Sequence, residues 1–364
     1  MAWNSGKGEK MRVKKNDLVK AIDKVKGAVL KKPARPALGG VLVSNGYLTG
    51  ANTEITIQVK LEGAEGESFI IPEKAFDLIK NLPDGELEVT SDDKDIVTIR
   101  IDKIKNSYQS FPAEDFIYNK TELDTDNGIQ LSGKTLMESL SHVIYAAADK
   151  APGRPALEGV CLEVANGCLH IVATDGHVMC WDQLPAEGMG NLKLIIPKST
   201  VRRIIAMDTD ETVQLLYTEN SAVFKTEKFA IFTRLIEDNY IAYEKMFYSA
   251  ETYTAVNRDG LMGAMTRAKM CTDEASPAIF DITNKEIHVI IRDNITNYQE
   301  SVPLLEQIAN PIKIGFSSKL VLETIKAFTC ENISLNFSTP VTPMIVQAED
   351  SDMKALVLPV RLRG

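Results

Sequence analysis

An apolar phrase recurs three times along this chain at near-constant spacing, and that periodicity constrains the fold more than any other feature. Arg35-Pro36-Ala37-Leu38-Gly39-Gly40-Val41-Leu42 returns as Arg154-Pro155-Ala156-Leu157-Glu158-Gly159-Val160-Cys161. A fainter copy reads Ser276-Pro277-Ala278-Ile279-Phe280-Asp281. Each copy leads into a turn and an apolar run: Asn45-Gly46-Tyr47-Leu48, Asn166-Gly167-Cys168-Leu169 and Asn284-Lys285-Glu286-Ile287. A second phrase keeps the same beat, with Ile70-Ile71-Pro72-Glu73-Lys74, Ile195-Ile196-Pro197-Lys198-Ser199 and Ile314-Gly315-Phe316-Ser317-Ser318. Two phrases recurring in the same order imply three copies of one domain of roughly 120 residues. The expected divisions are an extension at 1–10 that reads as disordered, then domains at 11–127, 128–248 and 249–364.

Composition fits that division. A chain of 364 residues that is 44% hydrophobic can bury two or three cores. No apolar run approaches the length of a membrane span, and the first ten residues carry no hydrophobic signal core. The five cysteines form no C-x-x-C pair, which supports neither a zinc site nor a disulfide framework and fits a reducing cytoplasm.

Within each repeat the pattern predicts a helix, strands, a second helix and further strands. Asn16 is a candidate N-cap, followed by Leu18, Ile22 and Val25 at helical spacing. Strand alternation follows in Val41-Leu42-Val43 and Ile55–Val59. A second helix is predicted from about Glu73 to Asn81, stopped by Leu82-Pro83-Asp84-Gly85. Two more strands fit Leu87–Val89 and Ile96–Ile99. The second domain repeats this with Leu136, Leu140, Val143 and Ile144, then Val201, Ile204 and Ile205. The third has Leu261–Met270 and Leu320–Phe328. Strands in runs with few helices predict an α+β fold in which two helices pack on one face of antiparallel sheet.

The net charge of −9 argues against a protein that simply coats nucleic acid. The helices are nevertheless locally basic. Residues 14–32 hold Lys14, Lys15, Lys20, Lys24, Lys26, Lys31 and Lys32 against Asp17 and Asp23. With Leu18 at zero, Ile22 and Val25 fall at about 40° and 340°, and Lys20 and Lys24 at about 200° and 240°. Lys198, Arg202 and Arg203 repeat the arrangement beside Val201, Ile204 and Ile205. Lysines can simply solvate an exposed face. Their recurrence on helices of an acidic chain also suits contact with phosphates without reading of bases.

Ala173-Thr174-Asp175-Gly176-His177 is the sharpest motif. An enzyme using Asp175 and His177 is one reading, but no nucleophile motif accompanies it, the other histidines are scattered, and Asp-Gly is ordinary turn chemistry. The same phrase closely resembles a signature in the middle domain of the bacterial DNA polymerase III beta subunit family, the replicative sliding clamps. Ala355–Leu362 resembles that family's closing strand, Ser107–Phe116 the end of its first domain, and Ile314-Gly315-Phe316 with Cys330-Glu331-Asn332-Ile333 its third domain. The resemblance covers about residues 11–362.

The resemblance implies three tandem clamp domains and a head-to-tail homodimer that closes a ring around duplex DNA. It implies a tether for the polymerase III alpha subunit, opened by a clamp loader, with no cofactor, no metal and no catalysis. It places partner peptides in a pocket comprising Leu157, Thr174, Gly176, His177, Val178, Met179, Ile241, Lys245, Met246, Met344, Leu358, Pro359, Val360, Arg361 and Leu362. Val178, Ile241 and Lys245 depart from the family pattern there, and Arg363-Gly364 extend past its usual end. At the ring seam it sets Tyr108 against Met270 and Cys271 of the neighbouring copy, with Asn106 at a place that is often apolar in the family. DNA contact is expected from Lys20, Lys24, Lys32, Lys74, Lys80, Lys150, Lys198, Arg202 and Arg203; Lys32 matches a family position, and the others rest on helix position and charge. A specialised or mobile-element clamp with different partners remains an alternative.

Overall fold

The structure is a computed structural model, in which residues 9–66, 68–123, 128–186, 190–271, 277–292, 295–348 and 351–362 are described. The first repeat runs β1 (Glu9–Lys14), α1 (Lys15–Val25), β2 (Gly40–Ser44), β3 (Tyr47–Ala51), β4 (Ile55–Lys60), β5 (Phe69–Pro72), α2 (Phe76–Asn81), β6 (Glu86–Ser91), β7 (Ile96–Ile101) and β8 (Ile104–Gln109). The second runs β9 (Gly128–Ser132), α3 (Gly133–Val143), β10 (Gly159–Ala165), β11 (Cys168–Thr174), β12 (Val178–Pro185), β13 (Lys193–Pro197), α4 (Lys198–Ile205), β14 (Thr212–Tyr217), β15 (Ser221–Lys225) and β16 (Phe229–Arg234). The third runs β17 (Thr252–Asn257), α5 (Arg258–Met270), β18 (Ala278–Ile282), β19 (Glu286–Arg292), β20 (Asn297–Pro303), β21 (Ile312–Phe316), α6 (Ser318–Ala327), β22 (Asn332–Phe337), β23 (Met344–Ala348) and β24 (Ser351–Val357). The order of elements is the same in all three.

Contacts gather the chain into two units that cut across this order: residues 1–134 with 202–235, and residues 135–201 with 236–364. The first unit holds a four-stranded sheet, β1-β6-β7-β8, and an eight-stranded one, β5-β2-β3-β4-β16-β15-β14-β9. The eight-stranded sheet is two four-stranded halves joined where β4 pairs antiparallel with β16, from Val59 opposite Phe229 to Ile55 opposite Thr233. The second unit repeats the plan with β13-β10-β11-β12-β24-β23-β22-β17 and β20-β19-β18-β21. Its joint pairs β12 with β24, from Val178 opposite Val357 to Trp181 opposite Lys354.

Local chemistry explains the hairpins. Asn45-Gly46 and Asn166-Gly167 have φ of 52° and 80°, and 53° and 76°, the left-handed pair that a two-residue turn between twisted strands demands. On α1 the predicted face is the buried one: Leu18, Ala21, Ile22 and Val25 pack inward against β3 and β4. β3 meets the helix end so closely that a Cβ on Gly50 would lie 2.5 Å from the Val25 carbonyl oxygen.

Three expectations need correction. α1 begins at Lys15, one residue ahead of the predicted cap Asn16, because the Gly85 carbonyl accepts from the Lys15 N–H at 2.9 Å and no side-chain cap is used. Glu9 and Lys10 belong to β1, opposite Ser91 and Thr90, so the first strand starts inside the segment read as disordered; residues 1–8 lie outside the described residues. The helix placed at Glu73–Asn81 opens with a 3₁₀ turn at Glu73–Ala75 before α2. The boundary expected near 127 also falls outside the described residues.

Gly50→Ala should lower thermal stability. The clash is with backbone, so the helix end must shift at a cost of about 1–3 kcal/mol. A melting curve unchanged from the parent chain would contradict this packing.

Candidate functional site

The Ala-Thr-Asp-Gly-His phrase is the tip of the β11–β12 hairpin. The Asp175 carboxylate accepts from the backbone N–H groups of His177 at 2.7 Å and Val178 at 2.9 Å. Thr174 Oγ1 donates to the Val178 carbonyl at 2.7 Å and accepts from the Gly176 N–H at 3.1 Å. Gly176 takes φ of +92°, which a side chain would strain. One Asp175 oxygen is thus committed to holding the turn, the use that Asp-Gly chemistry favours over catalysis.

An apolar floor lies on the same sheet. Ala156, Cys161, Val172, Met179, Ile195, Tyr240, Tyr243 and Leu356 form one buried cluster, with Trp181, Ile236, Ile241, Phe247 and Leu358 packed on it. The connector after Ile236 is fastened there by its polar tips. The Asp238 carboxylate accepts from the Ala156 N–H at 3.2 Å, and the Tyr240 hydroxyl donates to the Val172 carbonyl at 3.2 Å. The Tyr243 hydroxyl meets His170 Nδ1 at 2.8 Å, and the Tyr248 hydroxyl donates to the Pro343 carbonyl at 2.7 Å. Buried tyrosines finding partners in this way combine apolar area with a defined orientation. Burial pushes the Cys161 thiol up to about 12, so it acts as a small apolar side chain.

The C-terminal tail supplies a further wall. Leu358 N–H donates to the His177 carbonyl at 2.9 Å, and Val360 N–H donates to the Gly315 carbonyl at 2.8 Å. A Cβ on Gly315 would lie 2.6 Å from Leu362 Cδ2 and 2.8 Å from the Val360 carbonyl oxygen. The tail therefore rests directly on β21 because residue 315 lacks a side chain.

The resemblance-derived pocket residues divide into layers on this frame. Met179, Ile241 and Leu358 meet in the apolar cluster. Leu157, Thr174, Val178 and Met344 are 1–2% exposed and act as interior support rather than surface. Val178 is interior because successive strand residues point to opposite faces. Gly176, His177, Lys245, Met246, Val360 and Arg361 are exposed, while Pro359 and Leu362 are half-buried. Sequence reasoning missed Leu356, Tyr240, Tyr243, Trp181 and Phe247. The run of aromatics at 240, 243, 247 and 248 in a connector was the available signal.

The cationic candidates are placed unevenly. In the first unit Lys20, Lys32, Lys74, Lys80 and Arg202 are exposed. Lys24 is half-buried, with Nζ donating to the Met207 carbonyl at 3.4 Å, and the Arg203 guanidinium lies against Gly27. A cleft of about 250 Å³ between α1 and α2 mixes Lys26, Lys31 and Lys80 with Asp23, Glu73 and Asp77, so the face is less purely basic than helical spacing predicts. In the second unit Lys150 is exposed, but Lys198 is tied down, 2.9 Å from Asp149 and 2.5 Å from the Ala147 carbonyl.

The seam candidates lie at sheet ends. Asn106 and Tyr108 are on β8, the last strand of its sheet, with Asn106 Nδ2 donating to the Tyr108 hydroxyl at 3.2 Å. Met270, 80% exposed, and Cys271 close α5, which packs behind the end strand β20.

Comparison with known proteins covers nearly the whole chain. Domain profiles of the DNA polymerase III beta subunit match at residues 9–119 (N-terminal domain), 130–241 (central domain) and 249–361 (C-terminal domain). The beta sliding clamp of Halalkalibacterium halodurans is 24% identical, covering 94% of this chain and 97% of that protein. The beta sliding clamp of Streptococcus pneumoniae serotype 4 is also 24% identical, over 96% and 98%. The crystal structure of the beta subunit from the DNA polymerase of Streptococcus pyogenes superposes with a TM-score of 0.88 at 24% identity, over 97% of this chain and all of that one. That of the Pseudomonas aeruginosa DnaN sliding clamp bound to griselimycin gives 0.89 at 21%, over 98% and 100%.

Gly176→Ala should cost about 1–2 kcal/mol through the left-handed backbone at the turn. Gly315→Ala should lift the tail from β21 while leaving the secondary structure intact. Faster hydrogen exchange at the Val360 amide in this variant, with the β21 amides still protected, is the expected result; an unchanged Val360 amide would contradict the assignment.

Proposed function

Because this chain belongs to the DNA polymerase III beta subunit family, the non-catalytic sliding clamps of replication, we propose that two copies close head to tail into a ring around duplex DNA and tether a polymerase to it. The observation that carries this reading is the repeated sheet joint. At β4–β16 and at β12–β24, the third strand in chain order of one half pairs with the last strand of the next repeat. Two strands in those same roles remain at sheet ends, β20 and β8. They belong to the last repeat and the first, so pairing them between copies continues the pattern and exhausts it. A heterologous contact that closes in this way makes a finite ring.

The register follows from the joints already formed. Phe229, the first residue after the two-residue turn between β15 and β16, stands opposite Val59. Extending the β12–β24 register places Ser351, the first residue of β24, opposite Leu184, which occupies the same place in its hairpin as Val59. Carried to the seam, Ile104 opposes Val302, Asn106 opposes Glu300 and Tyr108 opposes Tyr298. Glu300 is held by Arg267 at 2.5 Å, and that pairing draws its carboxyl below the usual range. Met270 and Cys271 flank this seam from α5.

Within the ring, Lys20, Lys24, Lys32, Lys74, Lys80, Lys150, Lys198, Arg202 and Arg203 are proposed to face the phosphates, chiefly through those that are exposed. Such contacts give binding without sequence preference and with steep dependence on salt. The apolar floor with its tail and connector is proposed to capture short apolar segments of the polymerase alpha subunit, the clamp loader and other partners, a use suited to a few polar groups around apolar lining. The departures at Val178, Ile241 and Lys245 affect different layers: Val178 is interior, whereas Ile241 and Lys245 lie at the wall and so set peptide preference. The proposed compartment is the cytoplasm; no described helix is long and apolar enough to cross a membrane.

Sedimentation across concentration tests the ring. A reversible monomer–dimer of the 40.2 kDa chain is expected, weakened by Asn106→Asp and strengthened by Asn106→Lys, since position 106 would face the Glu300 carboxylate. A strict monomer would overturn the ring, and equal affinities in the two variants would overturn the register. Replacing Lys20, Lys32 and Lys74 together with glutamate should reduce the slope of log affinity for linear duplex against log salt by about 0.9 for each lost phosphate contact. An unaltered slope would remove these lysines from the DNA face.

A further inference from the structure

The two sheet joints are alike in backbone and unlike in side chains. At the first, the Asn52 side chain accepts from the N–H groups of Glu54 at 2.9 Å and Ile55 at 3.1 Å, as Asp175 does from His177 and Val178. Arg234 N–H donates to the Glu54 carbonyl at 2.9 Å, as Leu358 N–H does to the His177 carbonyl. Ile55 on β4 is therefore the counterpart of Val178 on β12, and Gln58 is the counterpart of Trp181. Across the joints, Gln58 stands opposite Ala230 and Trp181 opposite Lys354, whose Nζ lies 5.6 Å from the indole centroid. An indole and a lysine at one joint are thus an amide and a methyl group at the other. A cavity of about 220 Å³ lies on the first unit at this place, with Gln58 and Ala230 in its lining.

The cavity has aromatic walls and a polar floor. Tyr47, Tyr118 and Phe229 line its sides. Tyr118 is braced edge-on by Phe116, at 5.7 Å between ring centroids, over the buried cluster of the first repeat. Thr49 and Thr121, 1% and 8% exposed, lie at its base. The Thr121 hydroxyl donates to Gln58 Oε1, and Gln58 Nε2 donates to the Thr49 hydroxyl at 3.3 Å. Gln58 Oε1 and the Thr49 oxygen each keep a lone pair, so the floor offers acceptors to a ring that carries an N–H or O–H. At the rim Lys225 lies 3.9 Å from the Glu122 carboxylate, so neither sign of charge prevails there.

We propose that this cavity is a second docking site, distinct from the pocket of the second unit, and that its occupant is a tryptophan side chain presented by a partner protein. The indole enters between Tyr47 and Tyr118 and donates its N–H to the oxygens of the floor. It supplies from outside the ring that Trp181 supplies from within at the other joint. A large apolar ring with one polar edge matches these walls and this floor. A nucleotide matches them less well, because its phosphate meets the Glu122 carboxylate at the rim. The inference needs neither the closed ring nor the peptide pocket, since every residue lining the cavity belongs to the first unit.

Methyl labelling of threonine and alanine makes the site directly visible by NMR. On titration with N-acetyltryptophanamide, the Thr49, Thr121 and Ala230 methyl resonances, assigned by single substitutions, should shift together with a dissociation constant of about 1 mM or tighter. The benzothienylalanine analogue, equal in shape but without the N–H, should bind about two- to tenfold more weakly, the worth of one hydrogen bond. Gln58→Trp should fill the cavity from within, raise the melting temperature and abolish the three shifts. In the parent chain, silence at these methyls or equal affinity for the two amides would overturn the inference, whatever the fate of the Gln58→Trp protein. Tighter binding of thymidine monophosphate than of the tryptophan amide at the same methyls would overturn it in favour of nucleic acid. Binding seen only in a Trp3→Ala variant would overturn it too, since the chain's own indole would then be the occupant.

Discussion

Sheet continuation across repeats is the constraint on which the rest of the molecule depends. A strand at the end of a sheet exposes unpaired backbone groups, and proteins must cover, twist away or pair such edges. Where repeats meet within a unit, this chain pairs them. β4 and β12 each take the last strand of the following repeat as their neighbour, so two four-stranded halves become one eight-stranded sheet in each unit. The repeats are thereby joined by main-chain hydrogen bonds rather than by side-chain contacts alone. β8 and β20 end their sheets in the same roles, which is the topological basis of the proposed assembly of copies.

The candidate site is built on the same frame. β12 continues into β24, and the residues just beyond that joint become the C-terminal tail. The turn at Asp175 and the bare backbone of Gly315 hold the tail on both sides. The connector is held differently, by the polar tips of Tyr240, Tyr243 and Tyr248. Backbone hydrogen bonds fix one wall, and side-chain hydrogen bonds of three tyrosines fix the other.

Much of the fold was legible because its determinants are local. The Leu18, Ile22 and Val25 spacing marks the buried face of α1, and Asn-Gly marks the hairpins, since these depend on neighbours within a few residues. The start of α1 was misplaced because its first amide is satisfied by Gly85, far along the chain. The strand role of β8 was missed for a related reason: its side chains are mostly exposed, so no apolar alternation marks it. At the site, Val178 and Met179 are adjacent in sequence yet lie in different layers, and Trp181 and Leu356 join the floor only through strand pairing.

The sequence by itself determined the threefold repeat, the helices and their buried faces, the tight turns and the α+β class. Each follows from apolar periodicity and backbone preferences that act within one segment. Tertiary structure alone decided which strands meet across repeats, which lysines stay exposed and which, like Lys198, are spent on Asp149 and a carbonyl. It also decided that His170 lies buried against Tyr243, 73 positions away in sequence. These depend on long-range pairing, and no local pattern encodes the partner that a distant strand will bring.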